Sequence, residues 1–321
     1  MEEILHGYHG YRCICVSIEL LIEKRITMPK KISVFRKPEG EAHYYAAYDA
    51  VLEQWPVPYE DLFVPTRFGD THVIASGPKD ADPLVLLHPA GGGGVIWIRN
   101  IQTLSQRYHT YAVDTISETN KSILTCPISL RHQREDFADW IADLFDGLNI
   151  ENTFMVGNSF GGFLTLNTAY HHPNRLKKIV LISPAASFVP ISAWSWHFLP
   201  ANLIGFLFDS EKMLLKPYQW IWQDFPAEEG MANLRAATAI AGHARHWSPT
   251  VFRDDELRSI QTPTLLLIGD HEVIYKPEDA IRRASRLVPN LKAEIISNAN
   301  HIAEYTNAEL VNKRILEFFV V

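Results

Sequence analysis

The chain has 321 residues, a net charge of −7, 47% hydrophobic residues and 21% charged ones. That is enough for one large α/β domain or two small ones with a sizeable core, and it excludes a disordered tail protein. With no long run of one sign, no nucleic-acid partner and no acidic membrane surface are expected.

The 3 cysteines, Cys13, Cys15 and Cys126, fit neither a disulfide framework nor a zinc spacing. They suit a reducing compartment, and a cytoplasmic location is expected. No apolar run approaches the roughly 20 residues that span a bilayer. Cys13 to Ile22 are apolar, but the run is short, carries Glu19 and lacks a strongly basic flank and a small-residue cleavage site, so no secretory signal is expected. Residues 1–27 match none of the patterns that follow. They are expected to be an extension outside the fold, with Met28 as a candidate start.

Residues 29–60 are polar and contain prolines; a helix or loop covering one end of a sheet is expected. Leu62 to Pro65 and Thr71 to Ser76 alternate apolar and polar residues around Phe68-Gly69-Asp70, which signals a hairpin. Pro83 to His88 is a continuous apolar run, the mark of a parallel strand covered on both faces. It leads into His88-Pro89-Ala90 and a glycine run, Gly91 to Gly94. A phosphate-binding loop would need Gly-Lys-Ser/Thr here. A dinucleotide fingerprint counted from Gly91 would need glycine where Ile96 stands. The choices left are an oxyanion-hole loop after a sheet strand and a flexible turn.

Tyr108 to Val113 is the next strand, ending at Asp114, and Thr115 to Pro127 is a loop. Phe137, Ile141, Leu144, Phe145 and Leu148 recur at helical spacing, so residues 136–148 form an amphipathic helix. Thr153 to Val156 reads as a short buried strand. After it comes Gly157-Asn158-Ser159-Phe160-Gly161, and Phe163 to Tyr170 suits a helix. Gly-x-Ser-x-Gly between strand and helix is the setting of a nucleophile elbow. So sharp a turn leaves no room for side chains beside the serine, hence the two glycines. Ser159 would stand at the carboxyl edge of the sheet, with the Phe160 N–H at a helix N-terminus. Lys178 to Ser183 is another buried strand. The β-α-β-α rhythm from 83 to 183 predicts a mostly parallel sheet with helices on both faces.

Residues 185–250 break that rhythm and hold five of the 8 tryptophans: Trp194, Trp196, Trp220, Trp222 and Trp247. A helical cap over Ser159 is expected; the bland alternative is an ordinary outer helix layer. Alternation resumes with a strand at Thr262 to Gly269, followed by Asp270-His271-Glu272. Pro277 to Leu287 is a helix with proline in its first turn, and Ala293 to Ser297 is a final strand. Asn298 to His301 is a loop, and Asn307 to Phe319 closes the chain as an amphipathic helix. The core is thus expected over 28–184 and 251–321, with 185–250 inserted.

A serine alone is a poor nucleophile; it needs a base within reach, and the base needs an orienting acceptor. Ser159, then Asp270 or Glu272, then His301 gives the chain order serine, acid, histidine, each at a strand's carboxyl end. Among 14 histidines, His301 is singled out by its place between the last strand and the last helix. His88 precedes the glycine run and is expected to brace it; His271 lies between the two acids and is expected to point aside. The oxyanion donors would be the Phe160 N–H and one from the His88-to-Gly91 loop. Pro89 has none to offer, which favours Ala90.

With Leu86-Leu87-His88-Pro89, Tyr111-Ala112-Val113-Asp114, Asn120-Lys121-Ser122, the elbow and Gly269 to Tyr275, the chain resembles the α/β-hydrolases. Within them it is most similar to small bacterial carboxylesterases of the Bacillus carboxylesterase NP type, from roughly residue 60 to 321. The resemblance implies an α/β-hydrolase fold with a helical cap. Its spacing puts the acid at Glu272, with Asp270 as runner-up, although aspartate is the commoner acid. The departure is His88-Pro89-Ala90, where the superfamily usually has His-Gly, and it bears on the oxyanion donor. The implied chemistry is two-step acyl transfer from a small-molecule ester through Ser159, His301 and Glu272, with no cofactor and no metal. Oligomeric state is left open. The alternatives are a lactonase, a carbon–carbon hydrolase, an acyltransferase or a non-catalytic ligand-binding relative. Epoxide hydrolases and haloalkane dehalogenases resemble the same fold but use aspartate as nucleophile, where this chain has Ser159.

Overall fold

The computed structural model describes residues 30–191, 210–223, 229–242 and 249–320, together with 204, 205 and 208. The expected extension over 1–27, and Trp194, Trp196 and Trp247, lie outside the described residues.

Helix α1 (Pro38–Leu52) begins with proline in its first turn, where a missing N–H leaves no hydrogen bond unmade. Strands β1 (Tyr59–Thr66) and β2 (Gly69–Ser76) form the expected hairpin, antiparallel from Tyr59↔Ser76 to Thr66↔Gly69. Then come β3 (Pro83–Leu87), α2 (Ile98–Leu104), β4 (His109–Val113), the short β5 (Ile123–Leu124) and α3 (Gln133–Gly147). β6 (Thr153–Asn158), α4 (Phe160–His171) and β7 (Leu176–Ile182) carry the elbow region. The insertion contributes α5 (Glu211–Ile221) and α6 (Glu229–Ala241). The chain ends with α7 (Asp254–Ser259), β8 (Thr264–Gly269), α8 (Pro277–Leu287), β9 (Leu291–Ile296), α9 (Ala303–Thr306) and α10 (Ala308–Val320).

Among the described residues the strands make one sheet in the order β1-β2-β4-β3-β6-β7-β8-β9, with β5 on β2. From β4 to β9 every neighbouring pair is parallel; only the hairpin, its contact with β4 and the β5 pairing are antiparallel. β6 and β8 are buried at every position, as unalternating apolar strands between two helix layers should be. Helices α2 and α10 pack together on one face; α3, α4, α7 and α8 follow one another along the other. α1 lies against α6 and the 3-10 turn at Gly94–Trp97, and Phe35 bridges Gly242 beside α6. Because β3, β6, β8 and β9 all run the same way, the residues that follow them meet at one edge.

Candidate active site

The elbow is built by close approach. A Cβ on Gly157 would lie 2.2 Å from the Gly161 carbonyl oxygen, and one on Gly161 would lie 2.3 Å from the Leu87 carbonyl oxygen and 2.8 Å from that of His88. Only glycine lets the turn close and rest on the end of β3. That contact brings the His88-to-Gly91 loop against the elbow. Ser159 is held at φ 50° and ψ −111°, a strained conformation for a residue with a side chain and one that clusters at functional positions. Its carbonyl accepts the N–H groups of Phe163 at 3.0 Å and Ala185 at 2.9 Å, and its N–H donates to Ile182 O at 2.9 Å. Ser159 is nearly buried, at 7% exposure.

At the far end of β8 another glycine does the same work. A Cβ on Gly269 would meet the Ala299 carbonyl oxygen at 2.2 Å, so the loop carrying His301 can lie across the strand end. His301 Nε2 is 2.8 Å from Ser159 Oγ, and His301 Nδ1 is 2.7 Å from Glu272 Oε2 and 2.9 Å from Oε1. A carboxylate can only accept, so Nδ1 carries a proton and Nε2 is left to accept from the serine hydroxyl. Glu272 Oε1 also accepts the N–H groups of Val273 at 2.8 Å and Ile274 at 3.0 Å. Burial alone would push the Glu272 carboxyl up. The facing His301 ring and the hydrogen bonds outweigh it and hold the group below the ordinary glutamate range.

Asp270 is two residues away and takes no part in this chain of contacts. It is exposed, and its carboxylate accepts the Asn298 and Ala299 N–H groups, each at 3.1 Å. It braces the His301 loop instead. His271 is 63% exposed at its side chain and points aside. His88 is buried. It accepts the Thr115 N–H at Nε2 (3.0 Å) and donates from Nδ1 to Pro89 O (2.7 Å), and burial lowers its pKa.

Three further residues support the site and were not singled out in the sequence. Asn158 Nδ2 donates to His301 O at 3.0 Å and so ties the elbow to the histidine loop. Asn300 Nδ2 donates to Gln223 O at 3.0 Å, which ties the same loop to the insertion. Asp114 gathers the Gly94 and Lys121 N–H groups, the Tyr48 hydroxyl and His72 Nδ1 at the end of β4. Asn158 stands inside the serine motif and Asp114 ends the Tyr111-Ala112-Val113-Asp114 segment; Asn300 carries no motif of its own. Among the described residues no group of three or more histidine, cysteine, aspartate and glutamate side chains is arranged to hold a metal. No helix among them is long and apolar enough to cross a membrane.

The profile of the alpha/beta hydrolase fold matches residues 82–308. The chain belongs to the α/β-hydrolase family. Carboxylesterase YbfK of Bacillus subtilis is 39% identical over 295 residues, 88% of this chain and 96% of that one. A second B. subtilis protein, named uncharacterized carboxylesterase nap, is 39% identical over 282 residues, 86% of this chain and 92% of its own. The crystal structure of naproxen esterase (carboxylesterase NP) from B. subtilis superposes with a TM-score of 0.81 at 38% identity, covering 88% of this chain and 99% of that chain. The resemblance read from the motifs to Bacillus carboxylesterases is borne out, as is the α/β-hydrolase fold. In this α/β-hydrolase the elbow at Ser159 follows β6, and His301 follows β9.

Proposed function

We propose that this α/β-hydrolase is a serine carboxylesterase that cleaves small carboxylic esters through an acyl-enzyme on Ser159. The observation that carries the reading is the unbroken line of hydrogen bonds from Ser159 Oγ to His301 Nε2 at 2.8 Å and from His301 Nδ1 to Glu272 at 2.7 Å. His301 takes the serine proton as Oγ attacks the ester carbonyl, then returns it to the departing alkoxide. Water, deprotonated by the same ring, releases the acid and restores the serine. Glu272 holds the Nδ1–H tautomer and stabilises the imidazolium formed at each attack. The carbonyl oxygen, negative in each tetrahedral intermediate, is received by the N–H groups of Phe160 and Ala90. The described parts of the insertion, residues 210–223 and 229–242, serve as a cap over this site, and the aromatic residues among them, Trp220 and Trp222, favour an apolar or aryl acyl group. The names carried by the Bacillus relatives support an ester substrate.

A panel of 4-nitrophenyl esters and lactones, run on the wild type and on Ser159→Ala, tests this. The wild type is expected to hydrolyse the esters and prefer them to lactones, and Ser159→Ala to lose at least about a thousandfold in kcat. Unchanged hydrolysis by Ser159→Ala, or a wild type active on lactones alone, contradicts the reading.

A further inference from the structure

Glu118 is a carboxyl at 6% exposure that the steps above do not use. It lies in the stretch from Asp114 to Asn120, which has no regular structure and is nevertheless buried throughout. Connecting segments normally run over the surface, because buried backbone must find partners for all its polar groups. This segment is held from within. Asn120 Nδ2 donates to Thr115 O at 2.7 Å, and Ser122 Oγ donates to Asp114 O at 2.7 Å. The Glu118 N–H donates to Thr115 O at 3.2 Å, and Ser117 takes a left-handed φ of 69°. The segment presents one carboxylate oxygen to the glycine run: the Gly91 N–H donates to Glu118 Oε2 at 2.9 Å.

That contact lies one peptide beyond Ala90. In a trans peptide the C=O and N–H point in opposite directions. The Pro89 carbonyl accepts from His88 Nδ1 at 2.7 Å and from the Gly92 N–H at 3.0 Å, so the Ala90 N–H is turned the other way. Glu118 fixes the next plane, which joins the Ala90 carbonyl to the Gly91 N–H. Gly91 has φ 70°, and two consecutive peptides of the loop are held, the first at its carbonyl and the second at its N–H. We propose that Glu118 is a positioning residue of the oxyanion loop: by accepting the Gly91 N–H it keeps the Ala90 N–H aimed at the oxygen of the tetrahedral intermediate. This rests on the acyl-enzyme reading above.

The surroundings agree with that role. Two ionisable groups, Tyr44 of α1 and Tyr218 of α5, feel the charge of Glu118, which adds to burial in raising their own pKa values. A Cβ on Gly91 would meet the Tyr218 hydroxyl at 3.2 Å and the Thr238 methyl at 3.1 Å, so the loop and its acid lie beneath the insertion. Burial pushes the carboxyl up to about 7, against the pull of the Gly91 N–H. Either protonation state keeps an oxygen that accepts an N–H, and the neutral one sets no negative charge near the oxyanion.

The test is steady-state hydrolysis of a 4-nitrophenyl ester, with inhibition by a trifluoromethyl ketone that forms a hemiketal on Ser159. Glu118→Ala is expected to lower kcat about 10- to 100-fold while KM moves less than about threefold. The ketone should weaken by the same factor as kcat. Glu118→Gln, which keeps the acceptor, should stay within about threefold of the wild type. A wild-type kcat in Glu118→Ala, or equal losses in Glu118→Ala and Glu118→Gln, overturns the proposal. If Glu118→Ala does not fold, Glu118→Asp carries the test, because its carboxyl is drawn back by one methylene. It should lose kcat, and wild-type turnover there also overturns the proposal. Ser159→Ala in the same series separates the two readings. If it stays active, the acyl-enzyme fails; if it is inactive while Glu118→Ala is fully active, only the role of Glu118 fails.

Discussion

Asp270 and Glu272 leave the same strand two residues apart, and their surroundings give them opposite work. The Asp270 N–H is bound to Ile296 O at 3.0 Å, and its exposed side chain reaches the backbone of Asn298 and Ala299. Glu272 turns inward, is buried and faces His301. Glu272→Gln is therefore expected to lower kcat by about 10⁴, as when a triad loses the group that fixes its tautomer, with little change in melting temperature. Asp270→Asn should leave kcat within about tenfold and lower stability by about 1–2 kcal/mol, read from denaturant titration. In the sequence the two acids stood level and only the resemblance favoured Glu272; the burial that separates them in the structure is not written in spacing. Glu118 was less legible still. Its partner is a backbone N–H 27 residues away, and no side-chain pattern marks such a contact.

The elements that fix the elbow depend on two missing side chains. Gly157→Ala places a methyl 2.2 Å from the Gly161 carbonyl oxygen, and Gly161→Ala places one 2.3 Å from that of Leu87. Both atoms met are backbone, which cannot swing aside. Each change is expected to destabilise the fold by about 1–3 kcal/mol or more and to lower kcat with it, measured by thermal melting and ester turnover on one preparation. The long elements were legible because apolar runs and helical spacing persist over several turns: Pro277–Leu287 stands where the pattern set it. Helices α2 and α7 were not, since seven and six residues are too few for a period to show. The packing of α1 along α6 was hidden as well, because a sequence marks an apolar face without naming what covers it.

Across the whole molecule, buried ionisable groups set how stability changes with pH. Burial raises Glu118 to about 7 and Glu304 to about 8 from 4.5, the charge of Glu272 adding to the second. His72 is raised from 6.5 to about 9: burial opposes protonation, but Asp114 and Asp61 outweigh it. Each of these binds a proton in the folded chain that the unfolded chain has released. Their contribution is complete below the unfolded values and is lost as pH rises through about 7, 8 and 9. Glu272 and Asp114 are lowered, so their contribution is present above the carboxylate range and is lost in acid. Glu118, Glu304 and His72 should therefore withdraw stability as pH rises from 5 toward 9, while burial lowers His88, His109 and His171, which act in the opposite sense and lose their contribution as pH falls below 6.5. Glu304→Gln should flatten the slope between 4.5 and 8, by up to about 1.4 kcal/mol per pH unit. Denaturant midpoints taken across that range check both. The central claim is that Ser159 is the nucleophile and His301 its base, and labelling by a fluorophosphonate tests it most directly. Peptide mass spectrometry is expected to find one adduct, on Ser159, formed quickly in the wild type, far more slowly in His301→Ala and not at all in Ser159→Ala. An adduct on another residue, or a wild type that takes up none, contradicts it.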